Sequence, residues 1–367
     1  MKHLTLNFLI SIVLFACADK GAVEQSEAIK YPWKTYRGAN AGIGLTEKDI
    51  MDFKATGGNL IRLSFPVIPF AAIDSPYVLQ NAAFSILDHV LNICEREEIA
   101  VLIDPHRFPG TNHQWTMLNT DSFWREKKYQ DKAIEIWQAI ATRTAHRGQV
   151  VAGYDLLNEP ALEGIYEKES LSDLNMLYKR MIDAIRAIDT VHTIVLAAPR
   201  YLANDSTASH SDQGYVEGLR VLEAPDDDNL AVEVHMYKPM GFTHQGIWDG
   251  KDSISAYPGT YHNGTYWDKG TIDRYMKNAY DWGQKHQIPI FVGEFSCPRI
   301  LGEMGNNYIR DCIEVFEKYD FSWAYHAWRE NQIWDAEMSI YDRADSTRNP
   351  NADRITLLKS YFQKNEQ

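Results

Sequence analysis

Eight short apolar runs, separated by longer stretches with apolar residues at helical spacing, constrain the fold of this chain more than any other feature. The runs are KTYRGAN (34–40), GNLIRLSF (58–65), IAVLIDPH (99–106), VVAGYDLLNEP (150–160), HTIVLAAP (192–199), NLAVEVHMY (229–237), IPIFVGEF (288–295) and YDFSWAYHAW (319–328). Between them lie segments such as AAFSILDHVLNICERE (82–97), KAIEIWQAIATRTAH (132–146), LNMLYKRMIDAIRAID (174–189) and IDRYMKNAYDWGQKH (272–286), each with one apolar face and charges between. Strand and helix in alternation build βα units and a parallel sheet. Eight units close an α/β barrel of the (β/α)8 TIM type, whereas an open doubly wound sheet would usually have fewer strands and a Gly-rich first turn. The segment RGANAGIG (37–44) lacks G-x-G-x-x-G spacing and is read as loop.

At 367 residues, with 45% hydrophobic and 24% charged, the chain has the composition of a globular protein with a large core. No low-complexity linker divides it, so residues 31–367 are assigned to one domain. The formal net charge of -13 leaves no footprint for nucleic acid, while a neutral polymer is easily accommodated.

The N-terminus reads as a targeting segment. Lys2 and His3 precede LTLNFLISIVLFA (4–16), too short to span a bilayer but suited to the hydrophobic region of a signal peptide, assigned to residues 1–16. LFAC (14–17) resembles a bacterial lipobox, which makes Cys17 the expected lipid attachment site and residues 17–30 a polar tether. Ala18 is not the Asp that retains such lipoproteins at the inner membrane, so the resemblance points to the outer membrane; an ordinary secretory signal releasing a periplasmic or secreted protein is the alternative. The remaining Cys94, Cys297 and Cys312 have no metal-ligand spacing. A Cys297–Cys312 disulfide and three buried free thiols are both compatible with the sequence.

Residues 238–269 form a long aromatic loop carrying Phe242, Trp248, Tyr257, Tyr261, Tyr266 and Trp267. Loops of this length are usually lids or binding loops, and rings presented on them suit sugar faces. Trp248 and Trp267 are therefore candidate sugar contacts, with about half of the rings expected to pack the loop onto the barrel instead.

Function is carried by two carboxylates. Asn158-Glu159-Pro160 closes the fourth run and Glu294 the seventh, so both acids reach the barrel face where the strand ends converge. A converging acid pair is the minimal apparatus for cleaving a glycosidic bond. Polar or aromatic residues also end most other runs: Asn40, Arg62, His106, His235 with Tyr237, and Trp328. No His/Asp ligand set such as H-E-x-x-H is present, so neither metal nor cofactor is expected.

On these residues the chain resembles glycoside hydrolase family 5, the cellulase and mannanase family of retaining enzymes. The resemblance matches Arg62 on the second strand, His106 on the third, Asn158 and Glu159 on the fourth, His235 and Tyr237 on the sixth, Glu294 on the seventh and Trp328 on the eighth. It implies hydrolysis of a β-linked polysaccharide or oligosaccharide, β-glucan or β-mannan first. In that chemistry Glu294 attacks, kept ionised by Arg62 and Tyr237, and Glu159 is the acid, its pKa raised by the charge of Glu294. Asn158 addresses the sugar 2-hydroxyl, His106 and His235 are expected to be neutral hydrogen-bonding groups, and Trp328 is expected to floor the subsite of the attacked sugar. Trp323, five residues earlier, is placed toward the stability face. The alternative from another class is a lipid-anchored, non-catalytic carbohydrate-binding protein on a degenerate barrel, which would have no use for two converging acids.

Overall fold

The computed structural model describes residues 30–64, 81–111, 121–162, 165–200, 215–247, 255–261 and 264–366. The strands in chain order are β1 (Arg37–Gly42), β2 (Leu60–Ser64), β3 (Ala100–Asp104), β4 (Val151–Asp155), β5 (Thr193–Ala197), β6 (Leu230–Met236), β7 (Gly259–Thr260), β8 (Tyr266–Trp267), β9 (Ile290–Phe295) and β10 (Ser322–Tyr325). The helices are α1 (Glu47–Lys54), α2 (Asn81–Arg96), α3 (Asp121–Arg125), α4 (Lys127–Thr144), α5 (Leu174–Arg186), α6 (Tyr215–Gly218), α7 (Met240–Thr243), α8 (Lys269–His286), α9 (Gly302–Lys318) and α10 (Asp353–Phe362). Eight strands close a parallel barrel in the order β1-β10-β9-β6-β5-β4-β3-β2, and β7 pairs with β8 in a separate antiparallel ribbon. All eight predicted runs are barrel strands. β1 runs on past KTYRGAN to Gly42, into the segment RGANAGIG read from sequence as loop: its small residues fit a strand paired on both sides, with β2 and β10.

Side chains alternate across each strand, and the alternation separates two cores. Inside the barrel, Tyr36, Leu60, Leu102, Ala152, Val195, Ala231, Phe291 and Ala324 form one apolar layer, with Trp33 packed against it. Between barrel and helices lies the larger core, including Ile61, Leu63, Val101, Ile103, Val232 and Val234. Trp323 belongs to this outer core, stacked on Phe362 at 5.4 Å between centroids with its indole N–H on Glu317 Oε1.

The segment after β6 builds its own small core. Phe242 and Tyr257 pack with Tyr308 of α9, and the Tyr257 hydroxyl donates to Asp311 Oδ2 at 2.8 Å. Trp267 is 7% exposed and sits edge-on against Tyr275. It is therefore a packing residue rather than the sugar contact expected, because the β7–β8 ribbon turns its ring toward α8. Trp248 and Cys17 lie outside the described residues. Cys94, Cys297 and Cys312 are buried free thiols.

Candidate active site

The polar centre lies one step above the apolar layer. Two residues beyond Leu60, Leu102 and Ala231 on the same inward faces stand Arg62, Asp104 and Glu233, and on β6 the alternation continues to His235 and Tyr237. Gly293 makes room for this cluster: a Cβ there would lie 1.4 Å from Glu233 Oε1.

Arg62 is the hub. It donates to Glu294 Oε1 at 3.0 Å, to Asn40 Oδ1 at 3.0 Å, to Asn158 Oδ1 at 2.9 Å and to Asp155 Oδ2 at 2.9 Å. Asp104 and Glu233 each approach the guanidinium to 3.1 Å. Burial works against this cation, but the charges of Asp104, Glu233, Asp155 and Glu294 hold its pKa well above the usual value. Asp155 moves the other way from an ordinary carboxyl. Burial and the neighbouring charge of Glu233 push it well up against the pull of Arg62, so Asp155 favours its protonated form.

Above Arg62 the two acids face one another. Glu294 accepts from the Tyr237 hydroxyl on Oε2 at 2.8 Å. Burial raises its pKa, but His235, His326, Arg62 and His106 outweigh this and hold it far below the usual range, so the group is ionised. Glu159, with its backbone in the left-handed region at φ 46°, accepts from His235 Nδ1 on Oε1 at 2.9 Å. One ligand-capable atom each of Glu159, His235 and Glu294 lies within 4.8 Å of the other two.

His235 departs from the neutral state expected of it. Its Nδ1 faces Glu159 Oε1 at 2.9 Å and Glu294 Oε2 at 3.7 Å, and its Nε2 faces Glu233 Oε1 at 3.0 Å. With Glu159 and Glu233 ionised both nitrogens donate, and the ring is then imidazolium. Burial opposes the charge, yet Glu294, Glu159 and Glu233 raise the pKa well above normal. The same bond reverses the expectation for Glu159. Burial raises that carboxyl and Glu294 adds to it, but the hydrogen bond and charge of His235, helped by Tyr215, bring the net shift down.

His106 donates Nδ1–H to Asp104 Oδ2 at 2.6 Å, and its Nε2 meets Asn158 Nδ2 at 3.3 Å. Burial lowers its pKa, but the charge and hydrogen bond of Asp104 outweigh this and raise it. Asn158 Oδ1 is taken by Arg62, so its Nδ2 faces His106.

Two further expectations are corrected. Asn40 donates to Gly293 O at 2.7 Å and accepts from Arg62, so its amide ties β1 to β9 and the hub rather than reaching substrate. Trp328 is 3% exposed: its N–H donates to Asp49 O at 3.1 Å, Phe53 meets its ring edge-on, and Arg329 lies 4.5 Å over it. The strand ends at Tyr325, so the chain has left the mouth before Trp328 and lays it under α1. His326, two residues beyond the inward Ala324, takes the mouth position, its Nδ1 3.9 Å from Glu294 Oε2.

Sequence reasoning missed Asp104, Asp155, Glu233, Tyr215 and His326. Counting two residues upward from each inward apolar residue would have found Asp104, Glu233 and His326. Tyr215 lies on a short helix remote in sequence, its ring 5.0 Å from that of His235, and no local pattern reveals it.

A facing carboxylate pair in the mouth of a closed parallel barrel defines a glycosidase. The chain belongs to the cellulase family, glycosyl hydrolase family 5, whose model matches residues 20–332. It is therefore an enzyme that hydrolyses O-glycosyl bonds. Endoglucanase C of Acetivibrio thermocellus is 23% identical over 330 residues, covering 83% of this chain and 88% of the relative. Cellodextrinase A of Ruminococcus flavefaciens is 24% identical over 280 residues, covering 75% and 74%. Among solved structures, a hyperthermophilic endo-β-1,4-glucanase in complex with substrate has a TM-score of 0.66 at 20% identity, over 90% of this chain and 97% of that one, a likeness of fold.

Proposed function

We propose that this enzyme is a retaining hydrolase of β-linked glucan, with β-mannan the other substrate the same centre would serve. The observation that carries the reading is the short gap between the acids: oxygens of Glu159 and Glu294 stand within 4.8 Å. Retaining enzymes hold their carboxyl groups about 5–5.5 Å apart, whereas inverting ones leave about 6.5–9.5 Å for water. Relatives named endoglucanase and cellodextrinase support glucan as the first substrate to test.

In this mechanism Glu294, held ionised by His235, His326, Arg62 and His106 and aimed by the Tyr237 hydroxyl, attacks the anomeric carbon. The leaving oxygen takes a proton from the Glu159–His235 pair. Before transfer that proton is carried on His235 Nδ1, facing Glu159 Oε1; its transfer leaves His235 neutral, with Nε2–H still on Glu233. In the second step Glu159 accepts a proton from the attacking water, the proton returns to the pair, and the bond to Glu294 breaks.

Product stereochemistry by NMR tests the assignment. Wild-type hydrolysis of an aryl β-cellobioside should retain the anomeric configuration. With Glu159→Ala, azide should accelerate turnover with retention, and with Glu294→Ala azide should restore it with inversion. Inversion by the wild type would overturn both roles.

We also propose export and lipid attachment at Cys17, supported by the LFAC sequence. Expressed in a suitable bacterium, the protein should sediment with membranes, and Cys17→Ala should release it or leave its signal uncleaved. Soluble, unlipidated wild-type protein would refute the anchor.

A further inference from the structure

The eighth strand delivers an imidazole to the mouth where the resemblance implied an indole. His326 follows β10, and its Nδ1 is buried, without a hydrogen-bond partner among the described residues and 3.9 Å from Glu294 Oε2. The side chain remains 19% exposed, so an edge of the ring is open to solvent. Oε2 is also the oxygen that accepts from Tyr237 and lies 3.7 Å from His235 Nδ1.

The ring does not stand alone. Trp334 meets His326 edge-on at 5.8 Å between centroids and His244 at 6.0 Å, and His244 meets Tyr237 at 5.0 Å. Tyr237, His244, Trp334 and His326 thus form a continuous chain of rings that begins and ends beside Glu294. Its geometry is fixed from behind, since the Tyr325 hydroxyl donates to Trp334 O at 2.6 Å. Burial lowers the pKa of His244 to about 4, so that member of the wall is neutral.

We propose that His326 is a specificity-determining residue that hydrogen-bonds a hydroxyl of the sugar attacked by Glu294. An indole at a strand end offers a sugar mainly a stacking face. An imidazole offers less apolar area and a ring nitrogen able to donate or accept. The orphaned Nδ1 is the second sign: closed off from solvent and 3.9 Å from Glu294 Oε2, it leaves the solvent-open edge of the ring as the part that a sugar hydroxyl beside Glu294 can reach. This inference rests on Glu294 being the attacking group.

The test pairs His326 variants with substrates lacking single hydroxyls. The probes are 2,4-dinitrophenyl β-cellobioside and analogues deoxygenated one position at a time on the attacked sugar. His326→Ala should lower kcat/KM on the parent about 10- to 100-fold, the worth of one hydrogen bond to a substrate hydroxyl. With the one analogue lacking the partner hydroxyl, the variant and the wild type should be nearly equal. His326→Gln, which keeps a donor and an acceptor, should recover part of the loss on the parent alone. An equal loss on every analogue, or no loss on the parent, would overturn the proposal. Failure of the reading of Glu294 would show separately, as wild-type hydrolysis with inversion.

Discussion

The two layers inside the barrel are built by the same strands, two to four residues apart, and have opposite physics. The lower layer is apolar: Leu60, Leu102, Ala231 and Phe291 interlock without a polar side-chain atom. The upper layer holds Arg62, Asp104, Asp155, Glu233, His235 and Glu294, all buried and all ionisable. Lower-layer residues contribute through area removed from water, roughly 1.5–3 kcal/mol for a large aliphatic or aromatic side chain. Upper-layer residues carry a desolvation cost that only their partners offset, so each is stable only while the others remain. The floor tolerates substitutions independently, whereas the mouth responds as a unit.

The largest expected effect is removal of the hub. Arg62→Ala strips the common partner from Asp104, Asp155, Glu233 and Glu294, leaving buried negative charge uncompensated. Stability should fall by about 3–5 kcal/mol, measured by urea unfolding, and turnover should disappear at temperatures where the variant is still folded. Survival of most activity in the variant would show that Tyr237 and the neighbouring imidazoles hold Glu294 without Arg62 and that the upper layer is not a unit.

Phe291→Ala probes the floor. Its ring is fully buried and meets Trp33 edge-on at 5.2 Å. The truncation should cost about 3–4 kcal/mol through lost burial and a residual cavity. Below the melting temperature kcat should stay within about two-fold of wild type, since the residue carries no charge to the mouth. A loss of kcat in proportion to stability would mean that the floor sets the geometry of the site.

His235→Gln sharpens the comparison through pH. The folded-state pKa of His235 is raised well above the value near 6.5 expected in the unfolded chain. A raised pKa means its stabilisation is complete below about pH 6.5 and is lost as pH rises through the folded value. The variant should therefore be about 3 kcal/mol less stable than wild type at pH 6, with the gap narrowing toward alkaline pH. Glu294 runs in the opposite sense: its pKa is depressed, so its contribution is present above about pH 4.5 and is lost on acidification. A stability difference independent of pH would show that His235 is neutral in the folded protein.

Much of the fold was legible because it is written in local periodicity. The eight runs announce the barrel, and Glu159 and Glu294 stand where the ends of their runs put them. The polar layer was half legible for a specific reason. His235 and Tyr237 close their run and Arg62 is the lone cation in an apolar one, so their polarity is conspicuous, whereas Asp104, Asp155 and Glu233 become meaningful only when inward and outward faces are counted. The protonation of His235 was not legible at all. It depends on carboxylates from β6, β9 and the loop after β4 meeting at one ring, a long-range fact that no local spacing carries.

The smallest expected effect falls on the residue that sequence placed in the mouth and the structure places behind it. Trp328→Phe keeps an aromatic ring against Phe53 and under Arg329 but deletes the indole N–H that donates to Asp49 O. Asp49 belongs to the first turn of α1, where Thr46 and Asp49 close a capping box, so the loss is confined to one tertiary bond on an otherwise capped helix. The expected cost is about 1 kcal/mol of stability, read as a small shift in the urea midpoint, with kcat/KM on aryl cellobioside and polymer unchanged. An indole serving as a sugar floor gives the reverse pattern: unchanged stability and a ten-fold or greater fall in kcat/KM, because stacking on a sugar acts only when substrate is bound. That reverse result would return Trp328 to the cleft and reduce His326 to a bystander beside Glu294.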